Sequence, residues 1–339
     1  MILTIILFII KMTNKLNDDI CLIISKYIYK PKYQLLDWIN INDLNFISLS
    51  SNPYAIDILT ENQDKINWDL LSSNYNAIDI LKENQDKINW ELLSSNYNAI
   101  DLLKENQDKI DWYWLSSNPN AIELLSKNMD KINWHQLSRN PNAIELLEEN
   151  QDKIDWKNIS LNPNAIKLLC DNRDKIDYYY LSSNFDILPI IYRNGDNVNW
   201  DIISSYCNNI KFLRDNQDKL NWDKLSSNPM GLELLMENRD KINWKYLSEN
   251  PAAIQLLKEN PDKINWKYLC INYNAIELLK ENPDKINYTY LNINNSIESL
   301  KLYKNIDWTY NSSNKDIFIL KDINETIDII KKTLEIIFT

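Results

Sequence analysis

Only two glycines occur in the 339 residues, Gly195 and Gly231. That scarcity excludes glycine-rich phosphate loops and disfavours architectures built on tight β-hairpins. Histidine is scarcer still. His135 stands alone, at a variable position, so it reads as a solvated side chain, and no triad, zinc site or acid–base pair assembles around it. The four cysteines, Cys21, Cys170, Cys207 and Cys270, form no CxxC pair and read as free thiols in a reducing compartment. A cationic excess is also missing: 37 Lys and Arg face 48 Asp and Glu, for a formal charge of −11. A duplex-binding protein clusters its cations to displace counterions from phosphates. Here the recurring lysines sit beside Asp or Glu, which argues against nucleic acid as a partner. The apolar opening, MILTIILFII at residues 1–10, is too short for a membrane helix of about twenty residues. It lacks the basic start and small-residue cleavage site of a secretory signal. Residues 1–11 are therefore expected to be a mis-assigned start or a short buried extension, with a membrane anchor or atypical signal as the alternative.

What the chain has in abundance is repetition. With position 0 at an aromatic residue, copies of one unit begin at Phe46, Trp68, Trp90, Trp112, Trp134, Trp156, Tyr178, Trp200, Trp222, Trp244, Trp266 and Tyr288, always 22 residues apart. A degenerate copy follows at Trp308. A fixed period over this length marks a solenoid, which grows by stacking and has no single core. The 44% hydrophobic content is sufficient for burial and is not that of a disordered chain.

The consensus is W-x-x-L-S-x-N-P-N-A-I-E-L-L-K-E-N-Q-D-K-I-N. Asn or Asp before the aromatic residue, as in Asn133 and Asp155, is a good N-cap, because its side-chain oxygen accepts a free amide hydrogen. A short helix A then runs from the aromatic residue to about the serine, with positions 0 and 3 on one face. Asn at position 6, for example Asn118 and Asn140, is expected to cap helix B, with Pro119 and Pro141 just inside it. Helix B carries A-I-x-L-L, and its Ala, Ile and Leu share a face. Asn at position 16, from Asn62 to Asn282, is placed where a left-handed C-terminal residue is wanted. The link adds one aliphatic at position 20, from Ile66 to Ile286. Such short helices are marginal alone and gain by stacking. At roughly 8–10 Å per unit, the stack should be a rod or superhelix on the order of 100 Å long. A leucine-rich horseshoe shares the period but needs an L-x-L strand, which is not found.

The expected fold is therefore all-α: a solenoid of about twelve two-helix copies over residues 46–308. Residues 12–45 should cap its start. Residues 309–339 should cap its end as a helix with Ile323, Ile327, Ile330, Leu334 and Ile337 in one stripe.

Fixed columns read as scaffold. The aromatic column is a packing ladder, the Asn columns are backbone caps, and Asp at position 18 belongs to a turn or local salt bridge, because one carboxylate per unit cannot supply calcium's six to eight oxygens. The carboxylate pairs of helix B, such as Glu148–Glu149, are periodic and read as a solvated face. No catalytic constellation, cofactor motif or metal site emerges, and no small-molecule substrate is implied. Positions 1 and 2 of helix A change freely between copies and are rich in aromatics: Tyr113-Trp114, Tyr179-Tyr180, and Tyr246 and Tyr268 behind lysines. Fixed positions hold a solenoid together; variable ones read partners or drift on an exposed face. These six residues are the candidate partner-binding set. One copy breaks pattern at Phe185-Asp186-Ile187-Leu188-Pro189, where Pro189 should shorten or kink helix B, and the next has Tyr206-Cys207 in place of Asn-Pro. A bend, a docking notch and simple drift all fit that irregularity.

The unit W-x-x-L-S-x-N-P-N-A-I-x-L-L with N-x-D-K-I resembles repeat proteins encoded in multiple copies by giant DNA viruses of the mimivirus group and their relatives. The opening Lys26-Tyr27-Ile28-Tyr29-Lys30-Pro31-Lys32-Tyr33, running into Leu35-Leu36-Asp37-Trp38-Ile39, looks like the leader of those proteins. The resemblance implies a viral protein acting in host cytoplasm and little about its activity. Residues 16–31, with Leu16, Asp19, Ile23, Ile24 and Tyr27, also look like the first helix of an F-box, without the proline after the first leucine. Two functions are thus expected in turn: a non-enzymatic protein–protein interaction scaffold or, alternatively, a substrate adaptor of a ubiquitin ligase. The adaptor would touch the ligase's linker subunit through Ile20, Ile23, Ile24 and Tyr27, which would face the first copy if they only cap it.

Overall fold

The computed structural model describes residues 33–320, apart from 187, 193–196, 292, 295, 304, 305 and 307. The expected N-terminal capping helix with Ile20, Ile23, Ile24 and Tyr27, and the C-terminal helical stripe, lie outside the described residues. Two compact units divide the described residues: one over 68–307, and a smaller one that joins 33–67 with 308–320.

In the larger unit each regular copy folds as helix A, helix B and a 3-10 turn, as in Trp90–Ser95, Ile100–Glu105 and Gln107–Lys109. The all-α solenoid expected from the period is what the chain forms. Helix A starts where Asn89 Oδ1 accepts the Leu92 amide hydrogen at 3.2 Å, the cap that the sequence predicts. The core is three columns deep. Leu93, Ala99 and Leu103 are fully buried, and so are their equivalents Leu115, Ala121 and Leu125 in the next copy. Ile110 and Ile132 close the core from the link at 8% exposure. Successive A helices pack on one another along the stack.

A buried polar ladder runs beside this apolar core. Asn118, 1% exposed, donates through Nδ2 to the carbonyls of Ser94 and Asn96 in the preceding copy, both at 3.1 Å. Its Oδ1 accepts the Asn120 amide hydrogen at 3.0 Å. Asn96, Asn140 and Asn162 repeat the arrangement. The predicted capping role thus covers only half of what this asparagine does. It holds the turn before helix B, whose own N-terminal flank is Ala121 with no side-chain cap, and it also ties copy to copy. Serine at position 4 adds a second tie: Ser94 Oγ donates to the Trp90 carbonyl at 2.8 Å and accepts the Asp111 amide hydrogen of the next copy at 3.0 Å. Every buried side-chain nitrogen or oxygen among the described residues has a partner, as a packed interior requires.

The asparagine after helix B departs from expectation. Asn106 sits at φ −131°, ψ 51°, outside the left-handed region. Its Nδ2 donates to the Leu102 carbonyl at 3.0 Å, so a side-chain amide satisfies the helix end and no left-handed backbone is needed.

In the smaller unit, residues from the two ends of the described chain pair with one another. Strand β1 (Tyr33–Leu35) pairs antiparallel with β2 (Phe318–Leu320), Gln34 opposite Ile319. Asn45 donates its amide hydrogen to Ser312 Oγ at 2.8 Å. Asn52 Nδ2 reaches the carbonyls of Ser312 at 3.2 Å and Asn314 at 3.0 Å. These are the bonds that join consecutive copies elsewhere. The copy at Trp308 therefore stands before the first copy as its neighbour, because its serine and asparagine keep the ladder's register.

The irregular copy's helix B begins at the usual position 10 and is short at its C-terminal end, away from its proline. Its helix B is Leu188–Ile191, four residues against the usual six. Pro189 is its second residue, where the missing N–H would have no intrahelical partner. Tyr192 then packs edge-on against Trp200 at 5.7 Å and Phe212 at 5.5 Å. In the next copy helix A extends to Tyr206, which is 69% exposed. The Cys207 carbonyl there takes the place of the missing asparagine's as acceptor for Asn228 Nδ2 at 3.0 Å.

Candidate partner-binding face

Helix A buries position 3 and presents position 1 outward, a consequence of helical spacing. Each residue at position 1 from Asp69 to Thr289 is exposed. Position 2 lies at the rim. Leu70, Leu92, Tyr246, Tyr268 and Tyr290 are half-buried there, and Gln136 and Asn158 are buried.

Of the predicted set, Tyr113 is 44% exposed, Trp114 37%, Tyr179 52% and Tyr180 39%. Tyr246 and Tyr268 are half-buried. The six form three groups on different copies. Tyr113 and Trp114 meet edge-on at 5.3 Å, and Tyr179 and Tyr180 at 6.1 Å. Tyr246 meets Tyr268 at 5.8 Å, and Tyr268 in turn meets Tyr290 at 5.9 Å. Tyr290 was missed by the sequence reading, although it occupies the same position 2 in the following copy. Between copies the face is laced by polar contacts: Trp114 Nε1 donates to Glu91 Oε1 at 3.0 Å, and Asn89, Asn221 and Asn243 donate to Asp69, Asp201 and Asp223.

His135 is not simply solvated. Its Nδ1 lies 2.7 Å from Asp155 Oδ2. Burial on its own would raise the Asp155 carboxyl, but the Asn158 and Lys157 amide hydrogens and the imidazole together hold it below its usual range.

The lysines at position 19 make contacts that the sequence reading did not anticipate. Lys87, Lys109, Lys131, Lys153 and Lys175 each place Nζ 4.5–4.7 Å from the ring centroid of their own copy's tryptophan. The half-buried aromatic column is thereby covered by cations on its open side. Lys285 instead pairs with its neighbouring Asp284, at 3.5 Å.

Lysines at positions 1 and 2 behave differently again. Lys245 lies 5.1 Å from the Tyr246 centroid and 4.9 Å from that of Tyr268, and Lys267 lies 4.4 Å from Tyr290. Contact with Tyr268 raises the Lys245 ammonium above its ordinary value. Half-buried Glu249 sits near Lys224 and Lys245; burial raises its carboxyl despite both cations.

No group of three His, Cys, Asp or Glu side chains among the described residues is arranged to hold a metal ion. A groove of about 280 Å³ in the smaller unit is lined by Ile41, Asn42, Leu44, Phe46, Asn62 and Lys65, with no carboxylate, imidazole or thiol. Among the described residues no helix is long and apolar enough to cross a membrane. No family model, curated protein or solved structure matches the chain.

Proposed function

We propose that the chain is a non-enzymatic protein–protein interaction scaffold that reads its partner with positions 1 and 2 of helix A. One observation carries this reading: the recurring residues that form the core and the ladder, such as Leu93, Ala99, Leu103 and Asn118, are buried, and the freely varying position 1 is exposed in copy after copy. A solenoid built this way can change its surface without touching its core. Exposed tyrosine and tryptophan on that surface supply large contact area at little entropic cost. The unpaired thiols Cys170, Cys207 and Cys270 and the resemblance to giant-virus repeats support a viral protein working on host proteins in the cytoplasm.

The test replaces Tyr113, Trp114, Tyr179, Tyr180, Tyr246 and Tyr268 together by serine. Far-UV circular dichroism should keep its helical signal, because none of the six is fully buried. Partners captured from host extract by the parent chain should be lost. Capture of the same partners by the folded variant would show that the face is the wrong one.

A further inference from the structure

Within this face, one stretch has a chemistry of its own. Lysines and arginines on helix B are largely engaged with carboxylates: Lys104 with Glu123, Lys167 with Glu148, Arg214 with Glu233 and Glu237, Lys280 with Glu277. Three exposed cations on helix A, Lys224, Lys245 and Lys267, form no salt bridge among the described residues. They lie over a continuous tyrosine ladder instead, 4.4–6.0 Å from ring centroids of Tyr246, Tyr268 and Tyr290. The position 1 column is acidic at Asp69, Glu91, Asp201 and Asp223 and turns basic at Lys245 and Lys267; with Lys224 these cations outnumber the local carboxylates Asp223 and Glu249, so the strip carries a small positive excess on a chain of charge −11.

We propose that this strip binds an acidic, extended segment of a partner protein, its carboxylates set on Lys224, Lys245 and Lys267 and its backbone lying along the tyrosines. The proposal rests on the scaffold reading and names the chemistry of the partner. Charge complementarity selects the occupant. At ~0.1 M salt the Debye length is about 10 Å, so a bound segment senses the strip's local positive excess more than the carboxylates elsewhere on the chain. Single-stranded nucleic acid, which also favours cations among aromatics, stacks bases on open ring faces. Here the rings are half-buried and meet one another at 85° and 48°, which leaves edges and not open parallel faces.

The test uses the full chain at about 0.1 M salt, the screening regime just described, and three fluorescein-labelled probes: a peptide of alternating Glu and Ser, one of alternating Lys and Ser, and oligothymidine. Fluorescence anisotropy should show the Glu–Ser peptide binding, more weakly as salt rises, and the Lys–Ser peptide not gaining from the strip. Joint Lys245→Glu and Lys267→Glu replacement should weaken Glu–Ser binding by about tenfold or more with an unchanged dichroism spectrum. A Lys245→Arg, Lys267→Arg variant should keep it. The proposal is overturned if the parent chain ignores the Glu–Ser peptide, if charge reversal leaves binding unchanged, or if oligothymidine binds as tightly. If the peptide arm fails while the six-residue serine variant still loses its captured partners, the acidic-segment assignment falls and the scaffold reading stands.

Discussion

Truncating Asn118 to alanine should cost far more than its position in a surface turn suggests. Three hydrogen bonds end on this side chain: to the Ser94 and Asn96 carbonyls at 3.1 Å and from the Asn120 amide at 3.0 Å. The Asn96 carbonyl keeps the Ala121-type turn bond of its own copy, from the Ala99 amide at 3.1 Å. The Ser94 carbonyl and the Asn120 amide lose the partner described here. Two stranded groups at about 1–3 kcal/mol each, softened by relaxation, give a destabilisation of roughly 2–4 kcal/mol. Asn118→Asp is the sharper variant. It keeps the acceptor but turns a carboxylate oxygen toward two carbonyls at 1% exposure, so it should be worse than alanine despite its matching shape. Asn120→Ala removes an exposed bond to the Tyr97 carbonyl and should cost under about 1 kcal/mol. Urea unfolding followed by far-UV dichroism gives the ordering. Because copies couple only to neighbours, a fall in the urea slope would report that the stack has split at this step. An Asn118→Ala cost no larger than that of Asn120→Ala, or an aspartate milder than alanine, would refute the ladder as a stabilising device.

Other perturbations follow from single contacts. Leu137→Ala empties a fully buried site and should cost about 2–5 kcal/mol in the same unfolding assay. Gly231→Ala places a Cβ 2.7 Å from Leu225 Cδ1 and should destabilise by about 1–3 kcal/mol, although other copies carry alanine at this position. Cys270 stands where most copies have serine, and it accepts the Asn287 amide hydrogen through sulfur at 3.3 Å; Cys270→Ser should raise the thermal midpoint, gaining about 0.5–1 kcal/mol from a stronger bond. Asp155 has a lowered carboxyl, so its contribution is full above the ordinary carboxylate range and is lost as pH falls through its folded value; His135→Ala should shrink that acid-side loss in melts across pH. Glu249 is raised by burial and has the opposite sign, favouring the folded state at low pH and losing that contribution as pH rises through its folded value. Glu249→Gln should therefore stabilise at neutral pH and give no gain in acid.

Period and caps were readable from residue types because both are local. Asn89 before Trp90 predicts a helix start, and the structure puts the cap bond there. Contacts between copies were not readable, since a hydrogen bond from Asn118 to Ser94 spans 24 residues and leaves no mark on either residue's neighbours. The same blindness made lysine at position 19 look like a partner for the adjacent aspartate, when Lys109 folds back over Trp90. Left-handed asparagine was expected after helix B because that is the common solution; Asn106 reaches its helix's own Leu102 carbonyl by side chain instead. Pairing of the terminal copies escaped notice for a related reason. Trp308 follows Tyr288 by 20 residues, which reads as decay of the repeat, yet Ser312 and Asn314 keep their places in the ladder. On the candidate face, the outward position 1 followed from helix geometry, whereas the cationic ladder at Lys245 and Lys267 depends on rings from adjacent copies meeting.

The most direct test of this repeat-to-repeat chemistry is whether the first copy accepts the last as a neighbour. Gln34 and Ile319 face each other across the antiparallel pair of β1 and β2. Directly opposed residues have Cβ atoms roughly 4.5–5.5 Å apart, near disulfide range. A chain with Gln34→Cys and Ile319→Cys should form an intramolecular disulfide under mild oxidation, read as a faster-migrating monomer and a linked peptide pair by mass spectrometry. Cross-linking only between chains, with no intramolecular product from a folded protein, would contradict it.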